Sequence, residues 1–135
     1  MGVQIPGKND DIRHRFWEEI FKEVNAKYNK NIILIGDFNA ADKTDTKDWK
    51  PAYADGANKI KCLRKKGFID AYDAHIKGLS SDDRYTYYIK DDSGRRLDYA
   101  FLSPNLKLVD AKHMHDVRAD YKLSDHSMLI LEIDN

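Results

Sequence analysis

Apolar positions along the chain fall into two rhythms. From residue 10 to about 29 they recur at helical spacing: Phe16, Ile20 and Val24 stand four apart, with Trp17 and Phe21 beside them. That predicts a helix with one buried face, capped by Asn9 or Asp10 and running to about Asn29. The run Ile32-Ile33-Leu34-Ile35 is continuous instead, the mark of a short strand covered on both sides. Val3-Gln4-Ile5-Pro6 predicts the tail of another strand. Residues 44–55 are polar and loop-like, with Trp49 and Tyr53 able to pack locally. Residues 56–66 predict a second helix, with Ile60 and Leu63 inward, basic in its last turn and closed by Gly67. After a return segment at 68–72, residues 85–89 and 95–102 predict a hairpin joined by Asp91-Asp92-Ser93-Gly94. Residues 108–117 and 127–133 supply two further strands. The order is mixed α and β, with strands crowded into the second half.

Composition narrows the class. The 135 residues suit one domain, 41% hydrophobic and 34% charged, so the core is modest. Lys plus Arg equals Asp plus Glu at 23 each, which removes any uniform electrostatic grip on nucleic acid and leaves only local patches. The run Lys59 to Lys66 is one such patch, read first as a solvated helix face. A single cysteine, Cys62, allows no intrachain disulfide and no zinc site, and suits a half-buried place on the second helix. No apolar run approaches the roughly 20 residues of a membrane span, and the start is not signal-like. The expectation is a soluble, cytoplasmic protein with no membrane partner.

Three polar clusters carry candidate chemistry. Gly36-Asp37-Phe38-Asn39 sets a carboxylate and a carboxamide at the lip of a strand, where an Asx turn is the ordinary occupant. In Arg95-Arg96-Leu97-Asp98-Tyr99-Ala100-Phe101, alternation puts Arg96, Asp98, Ala100 and Leu102 on one face. Asp98 then shares an apolar face, and a buried carboxylate demands a partner; a nearby arginine at a sheet edge would serve. Ser124-Asp125-His126 precedes the last strand, either as a capped turn or as a hard-cation ligand beside an imidazole. Together the clusters complete one another. Asp98 needs a partner, and His126 needs a carboxylate to orient its ring. With Asp37 as a base and Asp125 as a metal ligand, the parts are those that phosphoester hydrolysis requires. His113 and His115 share a strand face that could bind a metal, and read first as residues of a surface strand.

In the segments ILIGDFNA, RYTYY, RRLDYAFLS and SDHSMLILEI, with GFIDAY between the first two, the chain resembles the endonuclease/exonuclease/phosphatase superfamily. That group includes DNase I-like nucleases, abasic-site endonucleases and inositol phosphatases. The resemblance implies in-line hydrolysis of a phosphodiester with Mg²⁺ or Mn²⁺ at the scissile phosphate. It makes Asp37 the residue that activates or positions the attacking water and, with Asp125, a metal ligand. It makes Asn39 a phosphate holder, and Asp98 the carboxylate that orients His126. Thr86 and Tyr87 fall near the substrate groove, and Arg84, Arg95 and Arg96 are candidate substrate contacts. The implied fold is α+β: one mostly antiparallel or mixed sheet with helices on one face, half of a four-layer α/β/β/α sandwich. Residues 1–135 would form a single domain like the C-terminal half of the family's domain.

The match begins in the middle of that domain. The family's first-half Asn and metal-binding Glu have no counterpart, and Gln4 stands where the nuclease branch often has Tyr. The implied partners are nucleic acid or another phosphoester, and a cover for the bare inner face of the sheet. That cover is a second copy or a missing N-terminal half. The competing expectation is a catalytically silent module, a scaffold or regulatory domain without the first-half metal ligand.

Overall fold

The computed structural model describes residues 1–7, 10–27, 30–76, 82–89 and 93–134. In chain order its elements are β1 (Gly2–Gln4), α1 (Asp10–Ala26), β2 (Ile33–Asp37), α2 (Ala54–Lys65), β3 (Ile69–Asp70), β4 (Tyr87–Ile89), β5 (Ser93–Arg95), β6 (Asp98–Leu102), β7 (Lys107–Met114), α3 (Asp116–Ala119) and β8 (Met128–Asp134). The central sheet is mixed. β1 runs parallel to β2, and β6 pairs antiparallel with both β2 and β3. Gly36 lets β1 come in close: its φ is +142°, and a Cβ there would stand 1.9 Å from the Val3 carbonyl oxygen.

Alternation gives this sheet two working faces. On one, Leu34, Tyr99 and Phe101 meet Trp17, Ile20 and Val24 of α1 and Ile60 and Leu63 of α2. Each aliphatic side chain buried there contributes about 1.5–3 kcal/mol. Phe16 falls outside the stripe and is 44% exposed, because positions 17, 20, 21 and 24 already complete the inward face. The end of α2 is closed as expected: Phe68 N–H bonds the Leu63 carbonyl and Gly67 N–H that of Arg64, with Gly67 at φ +87°. Cys62 is exposed rather than half-buried.

On the other face, Ala100 and Leu102 pack with Ile33 and Ile35 against Leu108, Leu129 and Leu131 of the antiparallel β7–β8 pair. The inner face is therefore covered in part by the chain itself, although Ile33, Ile35, Leu129 and Leu131 stay only partly buried. The helices α1 and α2 on one side of a mixed sheet and a strand pair on the other make the α+β half-sandwich that was expected.

Two strand boundaries differ from the pattern reading. Among the described residues β4 forms a ladder with β5; the chain then turns at Arg96-Leu97, and β6 enters the central sheet. β7 stops at Met114, and residues 116–119 form α3. The connector residues Asp91 and Asp92, the cap candidate Asn9 and the helix end at Asn29 lie outside the described residues. Among the described residues no helix is long and apolar enough to cross a membrane.

Candidate active site

Asp37 and Asp98 close the β2–β6 ladder as direct cross-strand partners. Carboxylates placed opposite each other repel, so this register works against stability unless a proton or cation intervenes. Both lie on the face toward β8, since Asp98 alternates with the buried Tyr99 and shares its side with Ala100 and Leu102. The loop ahead of β8 brings His126 to the same place, its Nδ1 2.8 Å from Asp98 Oδ2. Ligand atoms of Asp37, Asp98 and His126 all fall within 4.8 Å of one another. The His126 side chain keeps 24% exposure and that of Asp98 13%, so the cluster is reachable from solvent.

Burial pushes the Asp37 carboxyl up; the Asn39 N–H opposes this, and the facing Asp98 carboxylate adds to the rise. The hydrogen bond that His126 donates to Asp98 raises its imidazole against the downward pull of desolvation, and the charges of Asp98, Asp37 and Asp125 reinforce it. Asn39, at φ +43°, makes an Asx turn, its N–H 2.8 Å from Asp37 Oδ1. Its carboxamide donates to the Ile5 carbonyl and, at 2.9 Å, to Asp37 Oδ2. Asn39 thus ties Asp37 to the end of β1. Asp125 is exposed and stands outside the three-residue group, acting on Asp37 and His126 through its charge. Hard carboxylate oxygens with mutual repulsion to relieve fit a divalent cation such as Mg²⁺ or Mn²⁺.

Residues 3–126 match the model of the endonuclease/exonuclease/phosphatase family. The chain belongs to that family. No curated protein matches the sequence significantly. Among solved structures, it is similar to the 3′-5′ exonuclease NExo of Neisseria meningitidis, with a TM-score of 0.78 and 18% identity over 99% of this chain and 60% of that one. An AP endonuclease from Archaeoglobus fulgidus gives 0.75 and 20% over the same shares, 99% and 60%. A mannosyl-6-phosphatase of Bacteroides thetaiotaomicron gives 0.58 and 21% over 99% and 50%. These likenesses show the fold. The chain spans 60% or less of the length of each.

Of the other residues the family resemblance suggested, Tyr87 stands against His126, with ring centroids 4.9 Å apart and a backbone bridge between the two. Thr86 is fully buried and Arg96 is 1% exposed, so neither can meet a substrate. The turn at Arg96-Leu97 takes Arg96 off the β6 face. Its guanidinium lies between the rings of Tyr72 and Tyr99, 4.4 and 4.3 Å from their centroids. It donates to both oxygens of Asp70 and, at 2.8 Å, to Asp45. Arg84 bonds the Tyr72 hydroxyl and the Thr44 carbonyl, so its contacts serve the fold. The basic run of α2 is also paired with acids: Arg64 bonds Asp42 and Asp70, and Lys61 approaches Asp42 at 3.5 Å.

His113 is half-buried. It stacks on Tyr72, and its Nδ1 lies 2.6 Å from the Asp83 carbonyl oxygen, so Nδ1 carries the proton. Its Nε2 is buried without a hydrogen-bond partner, and desolvation pulls the imidazole below its ordinary pKa. A histidine with a depressed folded pKa holds fewer protons folded than unfolded once pH drops below about 6.5. Its contribution to stability is whole above that pH and is lost as pH falls toward the folded value. His113→Gln is therefore expected to destabilise more at pH 7.5 than at pH 5.5, as urea unfolding at the two pH values will show.

Proposed function

We propose that the chain is the carboxylate- and histidine-bearing part of a divalent-metal-dependent phosphodiesterase acting on nucleic acid. The convergence of Asp37, Asp98 and His126 within 4.8 Å carries this reading. Asp37, as the carboxylate, takes a proton from the attacking water. His126, doubly protonated with Nδ1–H on Asp98, directs Nε2–H at the phosphate oxygen where charge develops. Asp98 orients the ring and favours the imidazolium, and Asn39 steers Asp37. Mg²⁺ or Mn²⁺ held by Asp37 and Asp125 would neutralise phosphate charge. Support for nucleic acid as the substrate comes from a relative, the 3′ phosphatase NExo from Neisseria, whose structure holds a product DNA hairpin.

The relatives' remaining length supports a partner as well. β1 is an edge strand with β2 as its neighbour, and beside it Met1, Val3, Phe16 and Ile20 line an apolar groove of about 170 Å³. A complementary half that lays a strand on β1 fills this groove. Sedimentation then gives a monomer for the chain alone and a one-to-one complex with such a half; a homodimer would assign the cover to a second copy.

The activity test is cleavage of abasic-site and 3′-phosphorylated DNA oligonucleotides, with the chain alone and with a complementary half. Turnover is expected in Mg²⁺ or Mn²⁺, absent with EDTA and restored by added metal. A folded chain that turns over neither substrate with either metal would be the silent module.

A further inference from the structure

Thr86 hydrogen-bonds the backbone at both halves of the Asp98–His126 pair. Its Oγ1 accepts the N–H groups of Leu97 and Asp98 at 3.1 and 3.2 Å. Its carbonyl oxygen accepts, at 2.8 Å, the N–H of Ser127, the residue after His126. Its own N–H bonds the Arg95 carbonyl at 2.9 Å. Ser127 is held from the far side too: it is 3% exposed, and its Oγ lies 2.8 Å from His115 Nδ1 and accepts from Arg118 Nε at 3.3 Å.

We infer that Thr86 is a positioning residue, a clasp that fixes the spacing of Asp98 and His126 for the reaction proposed above, with Ser127 and His115 as its far anchor. The two members of the pair sit on separate pieces of chain. Asp98 opens β6 just after the turn that separates it from β5, and there the amides of residues 97 and 98 bond the Thr86 hydroxyl. His126 ends a loop whose residues 121–125 are all exposed. A carboxylate–imidazole bond at 2.8 Å requires both pieces to be held within about 0.5 Å. Thr86 does this from one site, through its side chain toward Asp98 and through its backbone toward His126. A threonine that only closed the turn would be buried as well; the bond to Ser127 N–H is what extends its hold to the histidine.

The test pairs Thr86→Val, which keeps the shape and removes the acceptor, with Thr86→Ser, which keeps the oxygen. The readout is the downfield Nδ1–H proton of His126 in NMR spectra of the metal-free protein, assigned by its loss in His126→Gln. That resonance is expected in the wild type and Thr86→Ser and lost in Thr86→Val. In the activity assay, kcat of Thr86→Val falls about tenfold to a hundredfold, with KM little changed, and Thr86→Ser restores it. A Thr86→Val protein that keeps both the resonance and its kcat overturns the clasp, as does a wild type without the downfield proton. Should Thr86→Val not fold, Thr86→Ala, which also removes the acceptor, takes its place: loss of the resonance supports the clasp, and an unchanged one overturns it. The expected resonance pattern without any phosphoester turnover keeps the clasp and rejects the proposed function.

Discussion

Arg96→Met is expected to destabilise the protein by about 3–5 kcal/mol, read as a lower urea midpoint in tryptophan fluorescence. The guanidinium is 1% exposed and bonds Asp70 and Asp45, themselves 5% and 2% exposed. Methionine fills the space between Tyr72 and Tyr99 but leaves those carboxylates short of a countercharge. Arg64 still reaches Asp70 at 2.7 Å, and the Tyr99 hydroxyl still donates to Asp45 at 3.1 Å, which sets the result toward the lower end of the range. Adding Asp45→Asn to Arg96→Met removes one stranded charge and is expected to recover part of the loss, so the two substitutions will not be additive. The effect also depends on pH. Burial alone would push the Asp70 carboxyl up, but Arg96 and Arg64 outweigh it and hold the group below its ordinary value. A carboxyl with a depressed folded pKa contributes its stability above the unfolded value, about 3.9, and loses it as pH falls through the folded one. The gap between Arg96→Met and wild type is therefore widest near neutrality and closes in strong acid.

The contrast between Arg96 and Asp98, two residues apart, shows what a sequence discloses. Helical spacing at Trp17, Ile20 and Val24 and the aliphatic run before Gly36 are local signals, and the corresponding core is where they put it. Asp98 was conspicuous because alternation set it among apolar neighbours, and His126 because it lacked an orienting carboxylate; the structure joins them. Arg96 failed the same alternation because β6 begins only at Asp98. The turn that displaces Arg96 is held by Thr86, eleven residues back, a long-range bond that no strand propensity encodes. Asp42 and Asp45 sat in a stretch with no apolar rhythm, so nothing local marked Asp45 as a core residue at 2% exposure. Its burial follows from Arg96 and Tyr99, which reach it from another part of the chain. Phe16 was misplaced by a single position, about 100° around the helix.

Asp98→Asn is expected to lower kcat by about 10²–10⁴-fold and to move the whole pH–rate profile toward acid. The active form in the proposed mechanism combines ionised Asp37 with protonated His126, so activity falls in acid as Asp37 gains a proton and in alkali as His126 loses one. The hydrogen bond to Asp98 is the largest influence raising the His126 imidazole. An amide at that position neither carries the charge nor accepts as strongly, so the imidazolium gives up its proton at lower pH and the alkaline limb moves down. The acid limb follows, because the Asp98 carboxylate also raises Asp37, and its removal lets Asp37 ionise in more acidic solution. Profiles of kcat/KM against pH for the wild type and Asp98→Asn measure both displacements. A variant that was merely misfolded would lower the curve without shifting it. An alkaline limb that stays in place would assign that ionisation to a group other than His126 and remove the imidazolium from the mechanism.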